Sequence, residues 1–340
     1  MAPRALVAPD SFKGTFDAPT VARAIAVGLR QAGWEADACP VADGGEGTLA
    51  LLVEALGGEL VEVAAADPLG RRVDCAFGLV ENGATAVVEM AQASGLARVA
   101  PAERDPWRAS SAGTGELILA AAGTGAREIL VAVGGSATTD GGAGAIATIR
   151  AGGGLGDARL RVLCDVECPF EDAPRVFGPQ KGAGAAIVAR LEERLAALAA
   201  TLPRDPRGVR FGGCAGGLSG GLWAAFGAEL CAGAPAVLDA LGVDARMCAA
   251  QLVVAGEGCL DEQSFGGKVV GELVRRAGAA GIAIHAVVGT SRLPQDAARR
   301  AGLQGVWTAT TLDAIAAAGR DLGSRACAAR LGRDALDVAS

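Results

Sequence analysis

Short apolar segments that stop at glycine and charged residues constrain the fold of this chain more than any other feature. Residues 5–9 (ALVAP) form one such segment, which stops at Asp10, and residues 36–41 form a second, which stops at ADGGEGT (42–48). Runs this short and apolar are typical of strands buried in a parallel sheet. A helical pattern follows each segment, so the chain begins strand–loop–helix twice, and this order predicts a doubly wound α/β sheet.

The middle of the chain differs from this opening pattern, and the last third returns to it. Residues 59–65 and 73–80 predict antiparallel strands around a Pro-Leu-Gly turn. From residue 251 an apolar segment again ends in polar residues, GEGCLDEQSFGGK (256–268). We therefore predict an α/β fold of two domains with an active site in the cleft between them. The domains are a Rossmann- or flavodoxin-like doubly wound domain formed by both chain ends, 1–58 plus 245–340, and an inserted mixed α/β domain, 59–244.

Composition excludes several classes of function. The net charge is −7 and no basic stripe stands out, so we expect no nucleic-acid partner. No apolar run is long enough to span a bilayer, so we expect no membrane association, and the nine cysteines lack CxxC pairs, which favours free thiols in the cytoplasm. The single histidine, His285, lies inside an apolar segment, which argues against a Ser-His-Asp triad and a His-rich metal site.

The position of the charged residues is the main indication of function. Carboxyl ends of parallel strands meet at one edge of a sheet, where ligands of open α/β folds bind. Glycine lets the backbone approach a phosphate there, carboxylates can hold Mg²⁺, and lysine can neutralise a transferring phosphoryl group. Each residue alone could be a helix cap or a turn residue, but together they predict a phosphate-handling site. The set consists of Asp10, Lys13, Asp43, Glu46, Asp140, Asp165, Lys181, Glu257, Asp261 and Lys268.

Several longer motifs together resemble those of the type I glycerate kinases. They occur in the family's order and span almost the whole chain. The resemblance implies a Rossmann-like domain that holds both termini plus an inserted α/β domain. It also implies transfer of the γ-phosphoryl group of ATP to a hydroxyl of D-glycerate, with 2-phosphoglycerate favoured as the product. The motifs are VAPDSFKG (7–14), PVADGGEGT (40–48), GTGELI (113–118), GGSATTDGG (134–142), CDV (164–166), VFGPQKGA (176–183), GEG (256–258), DEQS (261–264) and GK (267–268).

The resemblance leads to a role for each motif residue. The catalytic candidates are Asp10, Lys13, Asp43 and Lys268, where an aspartate would orient the substrate hydroxyl and a lysine would hold phosphate or the substrate carboxylate. The candidates for binding substrate or nucleotide are Ser11, Gly44, Gly45, Glu46, Gly134, Gly135, Ser136, Asp140 and Lys181. The candidates for Mg²⁺ are Asp165, Glu257 and Asp261.

The chain also departs from the family's usual motifs. Thr139 and Cys168 stand where relatives carry Asn, Cys259 stands where they carry Arg, and the region near 150–175 is shortened. A cysteine cannot replace the bidentate donor set of an arginine. Two alternatives therefore stay open: a kinase for another small hydroxy acid, or a non-catalytic relative that binds a nucleotide or metabolite. The sequence also leaves open whether the chain forms a homodimer.

Overall fold

The computed structural model describes residues 2–337, and the side chains of residues 2–328. Backbone contacts divide the chain into two compact units. The first unit contains the residues up to Ala42 together with those from Val237 onward, and the second contains Asp43–Ala236. The strands, numbered in chain order, are β1 Arg4–Pro9, β2 Glu35–Ala38, β3 Glu59–Ala66, β4 Arg72–Val80, β5 Thr85–Glu89, β6 Glu128–Ala132, β7 Arg159–Cys164, β8 Glu229–Ala232, β9 Leu252–Leu260, β10 Ala283–Ser291 and β11 Val306–Thr308.

The helices lie between these strands. They are α1 Ala18–Gln31, α2 Thr48–Ala55, α3 Ala91–Ser94, α4 Ala112–Gly123, α5 Ala143–Ala151, α6 Ala173–Phe177, α7 Ala185–Ala199, α8 Cys214–Phe226, α9 Gly233–Ala240, α10 Val243–Cys248, α11 Val269–Ala280, α12 Gln295–Arg300 and α13 Leu312–Asp337. Among the described residues, no helix has both the length and the apolar character needed to cross a membrane.

The sheet of the first unit is parallel throughout, with the strand order β11-β10-β9-β1-β2. Counted within the unit, this is the order 2-1-3-4-5 of a flavodoxin-like doubly wound sheet. The predicted α/β class is therefore confirmed, and this sheet takes its strands from both ends of the chain. In such sheets the ligand site lies at the carboxyl ends of the strands where the order reverses, which here is between β1 and β9.

Helix α1 shows how the sequence sets one layer of this unit. The side chain of Asp17 accepts a hydrogen bond from the backbone N–H of Thr20 at 2.7 Å, which caps the helix, and a proline follows within the first turn. Val21, Ile25 and Leu29 recur at helical spacing and are fully buried. This apolar face packs against the sheet and against α13, so both helices cover one side of the sheet.

The second unit has a six-stranded mixed sheet with the order β3-β4-β5-β6-β7-β8. Strands β3, β4 and β5 pair antiparallel, as predicted for the hairpin, and β5 to β8 pair parallel. Its core is built from aliphatic side chains of β6, β7 and α4 with Phe77. Helix α2 packs against β4 and β5, so the segment that carries it lies in this unit. The sequence analysis had placed residues up to 58 with the first unit.

Strands β9 and β10 are longer than expected from the sequence. The glycines of GEG and of GTS (289–291) suggested that both strands end before these residues, because glycine is depleted in strands. Parallel pairing in fact continues through them, with Glu257 opposite Val288 and Cys259 opposite Thr290. The predicted site residue Glu257 therefore projects from the strand itself and not from the loop that follows. By contrast, the strand expected at 36–41 is shorter and ends at Ala38.

Candidate active site

The loop after β1 crosses the carboxyl end of β9 in the first unit. The Oδ1 atom of Asp10 accepts a hydrogen bond from the N–H of Ser11 at 2.6 Å, and the N–H of Asp10 donates to the carbonyl of Gly256 at 2.9 Å. A Cβ atom at Gly258 would lie 3.2 Å from the backbone nitrogen of Lys13, so this close crossing is sterically tight for any residue larger than glycine. The side chain of Lys13 is exposed.

Glu257 is the most perturbed carboxylate of this edge. Its Oε1 atom is buried and has no hydrogen-bond partner among the residues that the structure describes. Burial raises the pKa of Glu257 to about 7, whereas a hydrogen bond with Ser264 and the charges of Lys268 and Lys13 oppose this shift. A buried carboxyl with one unpaired oxygen is available to bind a cation or to exchange a proton.

Asp261 differs from Glu257 because its carboxylate already has a structural role. It is the N-cap of the short helix that follows β9: its Oδ1 accepts from the N–H of Gln263 at 2.9 Å, and its own N–H donates to the Oγ of Ser264 at 3.0 Å. This reciprocal capping box fixes the chain that leads to Lys268. Lys268 itself is the residue that precedes the first turn of α11.

In the second unit two glycine loops pack against each other, although they are distant in sequence. They are the loop 43–47, before α2, and the loop 134–142, after β6. A Cβ atom at Gly134 would lie 2.4 Å from the Cα of Gly45, and one at Gly135 would lie 2.3 Å from the Oε1 of Glu46. This contact brings together Gly44, Gly45, Glu46, Gly134 and Gly135, all predicted from the sequence.

Asp43 lies at the start of the first of these loops. It is buried, with 5% exposure, and its Oδ1 accepts a hydrogen bond from the N–H of Gly45 at 3.1 Å. This bond orients the carboxylate relative to the glycine backbone. Asp43 therefore has a fixed position within a loop whose N–H groups can face an anion.

The sequence analysis missed Glu89, which holds the same loop in place. This buried residue is the last of β5, and its Oε2 accepts from the N–H groups of Gly47 and Leu49 at 2.9 and 3.1 Å. It thus binds free N–H groups at the start of α2. Burial raises the pKa of Glu89, whereas these two bonds lower it. The signal available in the sequence was an acidic residue at the end of an apolar strand, as at the other sites.

Asp140 organises the second glycine loop and is itself buried, with 1% exposure. Its Oδ2 accepts from the N–H and the Oγ–H of Ser111 at 2.9 and 2.8 Å and from the N–H of Gly144 at 3.1 Å. Its Oδ1 accepts from the N–H of Gly142 at 3.1 Å. Four hydrogen bonds occupy this carboxylate, so it ties the loop to the starts of α4 and α5.

Lys181 reaches the middle of the same loop. Its Nζ donates to the Oγ of Ser136 at 2.8 Å and to the carbonyl of Thr138 at 2.5 Å. The side chain is buried, with 2% exposure, and burial lowers the pKa of Lys181 to about 7, against the opposing charges of Asp140 and Asp165.

The chain has only three lysines, at positions 13, 181 and 268. Where a surface cation suffices, as in the exposed ion pairs of Arg175 and Arg207, the chain uses arginine. All three lysines belong to motifs that the sequence analysis singled out, whereas arginine supplies the other cations.

Comparison with known proteins shows which family the chain resembles. A family model described as the glycerate kinase family matches residues 5–153 and 150–322. Glycerate 2-kinase of Escherichia coli is 39% identical over 301 residues, which cover 78% of this chain and 79% of the relative. Glycerate kinase of Bacillus subtilis is 36% identical, with 89% of each chain covered. The chain belongs to the glycerate kinase family.

A solved structure extends the comparison to the fold. The crystal structure of a protein assigned as glycerate kinase 2 from Salmonella typhimurium LT2 has a TM-score of 0.83 and 34% identity, and the match covers 97% of this chain and 100% of that one. The resemblance inferred from the motifs is thus confirmed at the level of family and fold.

Two of the three residues that differ from the family's motifs have buried side chains. Thr139 is fully buried and its Oγ1 has no hydrogen-bond partner among the described residues. Cys168 is 5% exposed, and burial raises the pKa of its thiol to about 11. Only Cys259 is partly exposed, on β9 next to Thr290, so it is the departure best placed to affect substrate choice.

Among residues 2–328, whose side chains the structure describes, no group of three or more His, Cys, Asp or Glu side chains is arranged to hold a metal ion. Mg²⁺ bound with a nucleotide needs only one or two carboxylates, because phosphate oxygens and water supply the other ligands. The unpaired oxygen of Glu257 fits this requirement, whereas Asp261 is engaged as a helix cap.

A cavity of about 1200 Å³ in the first unit lies away from these residues. It opens at the amino ends of β9 and β10, and none of the predicted site residues lines it. Its Asp321 carboxylate is engaged by the Nε1–H of Trp307 at 2.8 Å and by Arg325 at 3.0 Å. Burial lowers the pKa of His285, which also lines it, to about 4, so that the ring is neutral. This cavity therefore contains none of the residues predicted to handle phosphate.

Proposed function

We propose that this protein transfers the γ-phosphoryl group of ATP to a hydroxyl of D-glycerate. Family membership supports the reaction class, and the relatives from E. coli and B. subtilis are named for glycerate phosphorylation. The observation that carries the proposal is the backbone contact between the loops 43–47 and 134–142. The N–H groups of Gly45, Gly47, Gly141 and Gly142 are bonded within the protein, but those of the other glycines in these loops can face phosphate oxygens. Phosphoryl transfer requires positioned donors more than covalent chemistry.

Candidate residues for such a reaction lie in both units. Asp43, fixed by Gly45, would orient the attacking hydroxyl and accept its proton, while the loop backbone holds the anionic groups. Lys13 and Lys268 would neutralise charge on the phosphoryl oxygens or bind the glycerate carboxylate. Mg²⁺, when bound with ATP, would supply additional positive charge, and Glu257, with its unpaired oxygen, is the carboxylate that could hold it.

The first test removes the charge of Asp43 without changing its size. Purified wild type and Asp43→Asn would be supplied with Mg-ATP and D-glycerate, and ADP release would be measured. We expect kcat of the variant to fall by about two orders of magnitude or more, the typical contribution of a positioned acid or base. Asp157→Asn is the matched control, because Asp157 is exposed and precedes β7 at its amino end. Near-normal turnover in Asp43→Asn would exclude the role given to this residue.

The product position is a finer part of the proposal. We favour 2-phosphoglycerate, the product implied by the name of the E. coli relative. The ¹³C NMR spectrum of the product separates the two isomers, because phosphorus couples to the carbons adjacent to the ester. Coupling centred on the carbon that carries the primary alcohol would show that the product is 3-phosphoglycerate.

A second candidate is a kinase for another small hydroxy acid, which is favoured by the partly exposed Cys259. A panel of hydroxy acids in the same ADP assay tests it. Turnover only on an acid other than glycerate would support this alternative, and restoration of glycerate turnover in Cys259→Arg would identify the residue responsible. ATP binding without turnover on any acid would indicate a non-catalytic relative.

A further inference from the structure

The environment of Lys181 does not fit the ligand-binding role expected from its motif. Its side chain is 2% exposed, so its ammonium group has no surface to offer to a ligand. The hydrogen bonds of Nζ go to the glycine loop, to the Oγ of Ser136 and the carbonyl of Thr138. Lysine is almost never buried to this degree unless its charge has a specific use.

Lys181 fixes the part of the loop whose side chain can reach a ligand. Ser136 is partly exposed, and its backbone is held on one side by an antiparallel bridge to Gly95. The residue before it, Gly135, lies against Glu46 of the neighbouring loop. The hydrogen bond from the Lys181 ammonium group adds to these backbone contacts, and together they set the direction of the Ser136 hydroxyl.

We propose that Lys181 is a positioning residue that makes the Ser136 hydroxyl a hydrogen-bond donor to an anionic ligand, and that Lys181 does not contact the ligand itself. A hydroxyl has one proton to donate and two lone pairs that accept. While Nζ carries three protons, it can only donate, so it occupies a lone pair of Ser136 and leaves the hydroxyl proton free. When Nζ is neutral it gains a lone pair, and the Ser136 hydroxyl can donate to it instead of to the ligand.

This coupling makes ligand affinity depend on the protonation of Lys181. The charged groups that face it are Asp140 and Asp165, which favour the ammonium form, and Arg104 with Asp105, which lie beside it around a small internal space. Burial acts in the other direction and lowers the pKa of Lys181 to about 7. We expect the ligand-binding form of Ser136 to predominate below this pH and to be lost above it.

The first experiment measures the titration directly. Since the chain has three lysines, protein labelled with ¹³Cε-lysine gives three lysine signals, which Lys→Arg variants assign one by one. We expect the signal of Lys181 to titrate near neutral pH, far below the usual range of lysine. A Lys181 signal that titrates near the usual lysine pKa of about 10 would overturn the pH dependence. This measurement needs no substrate, so it stands even if the protein does not phosphorylate glycerate.

The second experiment links the titration to binding and rests on the proposed function only in its kinetic arm. ADP binding would be measured by calorimetry, and the KM for ATP would be measured in the kinase assay, each on both sides of neutral pH. The proteins are wild type, Lys181→Met, Ser136→Ala and the double variant. We expect wild-type affinity to fall as pH rises. Each single variant should bind about tenfold or more weakly, because a hydrogen bond to a charged ligand is lost, and should lack the part of the pH dependence that comes from Lys181. The double variant should be no weaker than either single one.

The control and the opposing outcomes separate positioning from a merely structural role. Gln180→Met alters the exposed neighbour of Lys181 and should retain the wild-type pH profile. Additive losses in the double variant, or an unchanged pH profile in Lys181→Met, would refute the coupling through Ser136. If Lys181→Met fails to fold, Ser136→Ala alone decides, because it must lose the part of the pH dependence that comes from Lys181 while the Lys181 signal still titrates near neutral pH.

Discussion

Replacing Glu257 by glutamine should change how the stability of the first unit depends on pH. The pKa of Glu257 is raised from its ordinary value of 4.5 to about 7, chiefly by burial. The folded state therefore keeps this carboxyl protonated between these pH values, whereas the unfolded state ionises it. Its contribution to stability is fully present below pH 4.5 and is lost as pH rises through 7. The amide introduced by Glu257→Gln mimics the neutral carboxyl and does not titrate, so the variant lacks this dependence.

The size of this stability change follows from the pKa difference between the folded and unfolded states. For Glu257 that pKa difference corresponds to about 3 kcal/mol of unfolding free energy. Because the unfolded carboxyl is already partly ionised at about pH 5, the contribution there is about 2.5 kcal/mol, and by about pH 8 it is close to zero. Over this pH range, wild type should therefore lose about 2.5 kcal/mol more stability than Glu257→Gln.

Tryptophan fluorescence can report this unit selectively. Trp34 and Trp307 lie in the first unit, and Trp107 and Trp223 lie in the second. In a Trp107→Phe, Trp223→Phe background, urea unfolding followed by fluorescence reports the transition in which the first unit unfolds, and the free energy is taken from that transition. A chelator keeps divalent cations from the unpaired oxygen of Glu257 during the measurement.

The control for this experiment is the same substitution at an exposed glutamate nearby. Glu262 lies just beyond the end of β9 and is exposed, so Glu262→Gln should follow the wild-type pH curve. Parallel curves for wild type and Glu257→Gln over the whole range would refute the reasoning. They would mean that water or a neighbouring cation stabilises the ionised carboxyl in the folded state.

Three further predictions test other parts of the site. Asp140→Ala leaves the four donors of Ser111, Gly142 and Gly144 without their acceptor, so unfolding experiments should find at least about 3 kcal/mol less stability. Native protein treated with an acylating ester should be modified at the exposed Lys13 and not at the buried Lys181, as checked by peptide mass spectrometry. Gly258→Val places a side chain against the loop after β1, so kcat/KM should fall about tenfold or more while circular dichroism stays unchanged.

The sequence was sufficient for the parts of the fold that local signals determine. The capping side chain of Asp17 and the buried face of α1 could both be predicted, because cap chemistry and helical periodicity act within a few residues. The ends of strands were harder to predict where glycine is present. Gly258 lies inside β9 where the loop after β1 crosses it, and that crossing is a tertiary contact that no local sequence pattern reports.

The boundary between the two units could not be predicted from the sequence either, because it too depends on contacts between residues far apart in the chain. Helix α2 follows the opening strand–loop–helix pattern and was grouped with it, yet it packs on β4 and β5. Its start is held by Glu89, which lies far along the chain at the end of another strand. Which sheet a short apolar helix covers depends on such distant partners, and the sequence pattern of the helix itself does not encode them.

The candidate residues illustrate why position at a strand end does not determine a role. Asp140 and Asp261 both follow strands, but their carboxylates are occupied by loop and cap hydrogen bonds. Glu257 retains a buried oxygen without a partner among the described residues, and it alone of these carboxyls combines this with a pKa raised to neutrality. A hydrogen-bond inventory therefore separates the carboxylates that build the loops from those still available to a cation or a proton, and only the three-dimensional structure supplies that inventory.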